Sequence, residues 1–226
     1  MSSETASDGK SYLRRGAQSL PQLTEEQITR LKYNKGLSSY EDQLVNIRKS
    51  DVTNALPILE FMTETVPTAE PEPWLKKQQL IVDDRPTVAA VVLYAEEPQA
   101  ILPKAGVKLY RYRTSGEPTR DTLAQDPRTL EGHAYALIFE SIQSTVNMIQ
   151  EIPVVGTSGL ERVIYPRESI HEIITNAVLH RDYSVNDEIH IRVFDNRIEV
   201  QSPGTLAGHV TVSNIVTAHP VPARVL

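Results

Sequence analysis

Cysteine is absent from this chain, which excludes disulfides, thiolate zinc sites and a cysteine nucleophile and agrees with a reducing compartment. Aromatic residues are scarce at 6%, with a single tryptophan and three phenylalanines. No apolar run approaches the length needed to cross a bilayer, and the opening M-S-S-E-T-A-S-D-G-K lacks the apolar core of a secretory signal. The expected location is therefore the cytoplasm, with no membrane partner. Positive charge is also in deficit: 23 Lys and Arg face 29 Asp and Glu, a net charge of -6. That balance disfavours the chain as a general nucleic-acid binder, because phosphate neutralisation needs clustered cations.

What is present suffices for a packed core: 226 residues, 40% of them hydrophobic, make one large domain or two small ones. Residues 1–22 are polar and then proline-punctuated, and are expected to be a disordered end or the remnant of a preceding domain, although Ser11–Arg15 suits a short edge strand. Thr24 opens a capping-box helix, T-E-E-Q-I-T-R-L, and Ser50 or Asp51 should cap a second one carrying Leu56, Ile58 and Leu59, with Pro57 limiting its regularity. Pro67 to Pro73 is expected to be a stiff linker, followed by a helix from Trp74. Val88 to Tyr94, V-A-A-V-V-L-Y, has the length and composition of a strand buried on both faces.

Val107 to Arg113 alternates like a half-exposed strand, Thr114 to Arg128 is loop-like, and Glu131 to Ile152 carries the apolar spacing of a long amphipathic helix. V-V-G-T-S-G-L follows as a loop. Then R-E-S-I-H-E-I-I-T-N-A-V-L-H, Arg167 to His180, forms a helix with two specialised faces. Ile170, Ile173, Ile174, Ala177 and Val178 make the buried stripe, while Glu172 and Asn176 lie one turn apart on another face. An acid and an amide so placed can share a metal ion, a water or a polar ligand. Beyond the helix, E-I-H-I-R-V-F and R-I-E-V-Q flank a two-residue D-N turn, a hairpin closed by S-P-G. Helix followed by antiparallel hairpin makes the fold class α+β, mixed α and β, rather than doubly wound.

Other patterns carry weaker chemistry. His171-Glu172 begins a zinc-protease H-E-x-x-H, but position 175 is threonine, and that reading is rejected. Arg181 in H-R-D-Y could meet a phosphate; equally, His180 and Arg181 could meet helix-terminal carbonyls with Asp182 paired to Arg181. Gly156 and Gly159 resemble an anion cradle without the lysine and spacing of a P-loop. Arg111, Arg113 and Arg120 could form a basic strip, or be ordinary solvated positions.

Y-P-R-E-S-I-H-E-I-I-T-N-A-V-L-H-R-D-Y-S and then I-R-V-F-D-N-R-I-E-V-Q-S-P-G-T-L together resemble the C-terminal ATPase-like domain of bacterial transcriptional regulators labelled helicase-related, in which that domain follows a Schlafen-type AlbA DNA-binding domain. The similarity extends back to about Ser39, and S-Y-L-R-R-G-A-Q resembles the closing strand of the AlbA-type domain, so the chain is expected to be a fragment at both ends. The domain is in turn similar to GHKL ATPases. The resemblance implies residues 23–155 as a linking α/β region and 156–226 as a partial GHKL-like α/β sandwich. It implies Glu172 as the catalytic carboxylate that orients water, Asn176 as the Mg2+ ligand, and Arg181 and Gly204 as further nucleotide contacts, with ATP and Mg2+ as cofactors. Ser202-Pro203-Gly204-Thr205-Leu206 stands where the class has an adenine-reading aspartate. A regulator whose degenerate nucleotide domain signals to DNA held by the missing N-terminal part is the reading preferred, with homodimer contacts through residues 24–80. An active Mg2+-dependent ATPase is the alternative.

Overall fold

The computed structural model describes residues 3–5, 11–15, 18–20, 39–156, 159–162 and 165–204, in two compact units, 1–40 and 41–226. In the first unit β1 (Ser3–Thr5), β2 (Ser11–Arg15) and β3 (Gln18–Leu20) form an antiparallel sheet in the order β1-β2-β3. Ser11–Arg15 is thus a central strand rather than an edge: Leu13 pairs with Ser3 on one side and Leu20 on the other. The helix expected from Thr24 lies outside the described residues.

The second unit opens with short helices whose starts are set by proline. In place of one helix from Ser50 there are two, α1 (Ser50–Thr53) and α2 (Leu56–Thr65), and Lys49 rather than Ser50 or Asp51 occupies the first N-cap. Pro57 sits in the opening turn of α2, where a missing N–H costs nothing, so it starts a regular helix instead of disrupting one. Pro71 likewise starts α3 (Pro71–Lys77), which therefore takes up the second half of the expected linker. A hairpin of β4 (Ile81–Val82) and β5 (Arg85–Pro86) follows, with Asp83 and Asp84 at φ 49° and 59°. Two successive left-handed residues make the primed turn that matches strand twist.

Val88–Tyr94 is a helix, α4, and not the expected strand. The side chain of Thr87 accepts a hydrogen bond from Ala90 N at 3.2 Å, which caps the first turn. Six of its seven residues are buried; a helix apolar on all sides reads in sequence like a strand buried on both faces. It packs with Val52, Ile58, Met62, Leu75 and Ile81 in one core. Phe61, Trp74 and Tyr94 close that core as a ring cluster, with centroids 5.2 Å apart for Phe61 and Trp74 and 5.6 Å for Phe61 and Tyr94.

Four strands form the main sheet, in the order β11-β10-β6-β7: β6 (Val107–Arg111), β7 (Arg128–Leu130), β10 (Ile189–Val193) and β11 (Ile198–Gln201). β10 runs parallel to β6, and the other two pairs are antiparallel. Its strands come from both sides of residue 155, where the sequence suggested a boundary. Alternation decides the faces: Val107, Leu109, Ile189, Ile191 and Val193 are buried at 0–1% exposure, while Lys108, Tyr110, His190 and Arg192 face the other way. On the apolar face lie α5 (Ala134–Gln150) and α6 (Arg167–Leu179), which also pack on each other. Between them V-V-G-T-S-G-L is no plain loop: β8 (Pro153–Gly156) and β9 (Gly159–Arg162) pair antiparallel, Gly156 opposite Gly159. The chain is mixed α and β, with six α-helices among the described residues.

Candidate nucleotide site

α6 begins directly after Pro166, and Glu168 in its first turn complements the positive end of the helix dipole. Ile170, Ile174, Ala177 and Val178 are buried against α5 and the sheet. Ile173, expected in that stripe, is instead 47% exposed. It sits at the edge of the stripe and joins Ser169, Glu172, Asn176 and His180 on the solvent side. Among the described residues, the side chains of Glu172 and Asn176 enter no hydrogen bond or ion pair. The acid and the amide thus lie one turn apart on an exposed face with their oxygens uncommitted, an arrangement that fits a hydrated Mg2+ and its phosphate ligands.

Arg181 has a different environment. It is 4% exposed, and its guanidinium donates to three backbone carbonyls: Lys104 O at 2.9 Å, Val185 O at 3.3 Å and Asp187 O at 2.7 Å. Burial pulls its pKa below the usual arginine value, Tyr183 and nearby carboxylates opposing the shift. Nη1 and Nη2 are spent on main chain and Nε is buried without a partner, so Arg181 is not placed to make an exposed phosphate contact. Asp182 does not pair with it either, accepting instead from Ser184 N at 2.9 Å. Tyr183 lies under the guanidinium, 4.9 Å from carbon to centroid, and its buried phenol donates to Val178 O at 3.1 Å. Burial raises that phenol well above the ordinary tyrosine range.

The two sequence signatures H-R-D-Y and S-P-G prove to be one structural unit. Asp182 N donates to Pro203 O at 2.9 Å, and the Ser202 hydroxyl donates to Ala177 O at 2.8 Å. Gly204 lies beside Asp182 at φ 139°, a backbone conformation that other L residues rarely adopt, and this conformation explains the glycine. Ser202 is engaged in holding the end of α6. Sequence reasoning missed this lock, because periodicity reports faces and not contacts across twenty-odd residues.

The basic strip dissolves in a similar way. Arg111 is 4% exposed and bonded to Asp195 at 2.6 Å, whereas Arg113 and Arg120 are exposed. Gly156 and Gly159 lie in the β8–β9 hairpin rather than at a helix start. His171 Nδ1 lies 3.4 Å from Thr175 Oγ1, the hydroxyl that replaces a second zinc ligand.

Comparison with known proteins adds a short match. Residues 186–224 match the family model described as "Putative ATP-dependent DNA helicase recG C-terminal". This span begins just before β10 and leaves α6 outside it. Among solved structures, the DIP2311 protein from Corynebacterium diphtheriae is similar in fold over 92% of this chain, with a TM-score of 0.57 and 16% identity. The chain spans 42% of that protein's length. No curated protein matches this chain. The region from β10 onward thus carries a helicase-related, ATPase-like signature, and no helix among the described residues is long and apolar enough to cross a membrane.

Proposed function

We propose that the unit formed by residues 41–226 is a nucleotide-responsive module of the GHKL type, in which α6 presents Glu172 and Asn176 to Mg2+·ATP. The observation that carries this reading is the pair itself: an acid and an amide, exposed and unengaged, on a helix that leads into the ATPase-like segment 186–224. Asn176 would hold Mg2+ through its hard Oδ1 oxygen, and Glu172 would orient a water beside it. The metal would supply charge neutralisation to the triphosphate. Arg181 and Gly204 are assigned no nucleotide contact; Arg181 holds the loop carbonyls of Lys104, Val185 and Asp187, and Gly204 supplies a positive-φ turn beside Asp182. Because Ser202 replaces the aspartate that would read the adenine amino group, recognition rests on phosphate and metal, and discrimination between purines should be poor. In the whole protein, we propose, this module passes its bound state to a DNA-binding domain of the AlbA type, making a transcriptional regulator.

Thermal unfolding tests the binding step. A ligand that binds only the folded state raises the melting temperature as its concentration rises. Mg2+ with a non-hydrolysable ATP analogue should do so for the wild-type chain and for Glu172→Gln, and fail to do so for Asn176→Ala. No shift in the wild type at millimolar analogue would end the proposal.

A further inference from the structure

On the sheet face turned away from α5 and α6, three potential ligands converge at the start of β10. One donor atom each from Asp187, Glu188 and His190 lies within 4.8 Å of the others. First-row divalent ions bind oxygen and imidazole nitrogen at about 2.1 Å, which requires donors about 3–3.5 Å apart. Small side-chain rotations close that gap.

The histidine is oriented for the task from outside the cluster. Tyr110, two residues along β6 from Lys108, which faces His190, places its hydroxyl 3.2 Å from His190 Nδ1. His190 Nε2 points the opposite way, 3.3 Å from Asp187 Oδ1. In the tautomer that donates Nδ1–H to the tyrosine oxygen, the Nε2 lone pair faces the Asp187 carboxylate and is free for a cation; in the other, Nε2–H donates to Asp187 Oδ1 and an incoming ion takes the place of that proton. A ligating histidine is commonly fixed in this manner through its other nitrogen.

The backbone is equally constrained. Arg181 holds Asp187 O, Ile189 N donates to Gly106 O at 3.1 Å, and Glu188 N is bonded to Asp187 Oδ1 at 2.9 Å. Lys104 Nζ meets Glu188 Oε1 at 3.3 Å, leaving the second carboxylate oxygen to a metal. The side chains of Glu188 and His190 are 13% and 15% exposed and that of Asp187 is 54% exposed, so the site opens on one side to water.

We propose that Asp187, Glu188 and His190 bind a first-row divalent transition ion, Zn2+ and Co2+ being the probes. Two carboxylates with one imidazole suit that class, whereas Ca2+ and Mg2+ prefer all-oxygen shells. Water fills the remaining positions. The site is separate from the acid and amide of α6, and its test involves no nucleotide.

Calorimetric titration of the chelator-treated chain with Zn2+, and with Co2+ followed by visible absorption, should give one saturable equivalent per chain. His190→Gln should abolish it, and Tyr110→Phe should weaken it by about tenfold, as loss of an outer hydrogen-bond partner does. A merely structural tyrosine would leave metal affinity unmoved. Thermal unfolding in chelator checks that each variant is folded; should His190→Gln fail that check, Asp187→Asn takes its place with the same expected loss. Absence of saturation in the wild type overturns the proposal. So does undiminished binding by the folded variant, which would assign the ion to other histidines.

Discussion

Arg181 illustrates how a buried cation can serve the backbone alone. Three carbonyls from two loops converge on its guanidinium, and only a planar fork with several donors can satisfy them together. Truncation strands those acceptors; Arg181→Ala is expected to cost about 3 kcal/mol in chemical denaturation. Arg181→Lys should recover little of it, because one ammonium cannot reach all three. Glu172 and Asn176 stand at the other extreme: alanine at either should change stability by no more than about 0.5 kcal/mol, since each is exposed and unbonded. His133 adds a pH dependence. Its Nδ1 is buried without a partner, and burial lowers its pKa from 6.5, with Glu60 opposing. The unfolded chain therefore takes up a proton first as pH falls. The stability His133 contributes is complete above pH 6.5 and is lost as pH drops through that value towards its folded pKa. Melting temperatures measured from about pH 7.5 down to about 5.5 should fall less steeply for His133→Gln than for the wild type, and parallel curves would contradict this assignment. The acid and amide on one helix face were legible from spacing alone. The engagement of Arg181 was not, because its acceptors are main-chain atoms that every residue carries.

Among the elements, α5, α6, β6 and the β10–β11 hairpin could be read from the chain because their apolar periods are unambiguous: Val107 and Leu109 or Ile189, Ile191 and Val193 at every second position, Ile170 and Ile174 one turn apart. α4 could not. Its β-branched valines favour a strand, and a run that is apolar at every position has no period to decide the matter; tertiary burial and the Thr87 cap did. Thr87→Ala should therefore cost about 1 kcal/mol, measured by urea denaturation, and a neutral outcome would mean that packing alone sets the helix. Pro57 and Pro71 misled in a second way. Pro57 reads in sequence as a limit on helix regularity and Pro71 as part of a stiff linker, yet both are beginnings, since proline is preorganised for a first turn.

At the scale of the molecule, the sheet joins segments far apart in the chain, β6 beside β10 with Val107 opposite Ile189, and one glycine lets two strands approach. A Cβ on Gly106 would meet the backbone oxygen of Leu130 at 2.9 Å, so Gly106→Ala should cost about 1–3 kcal/mol through forced displacement of β7. Beyond the sheet, Lys49 and Lys76 share Glu72 and Asp84 in a four-charge network that ties α1 and α3 to the β4–β5 turn. Structural work falls to Arg181, Ser202 and Gly204, and ligand binding is assigned to the outer face of α6. Equilibrium titration with Mg2+·ATP, comparing the wild type with Asn176→Ala and with Arg181→Lys, tests that division most directly. The account predicts saturable binding by the wild type, none by Asn176→Ala, and unchanged affinity for whatever fraction of Arg181→Lys remains folded. Binding that survives Asn176→Ala, or that disappears in folded Arg181→Lys, would contradict it.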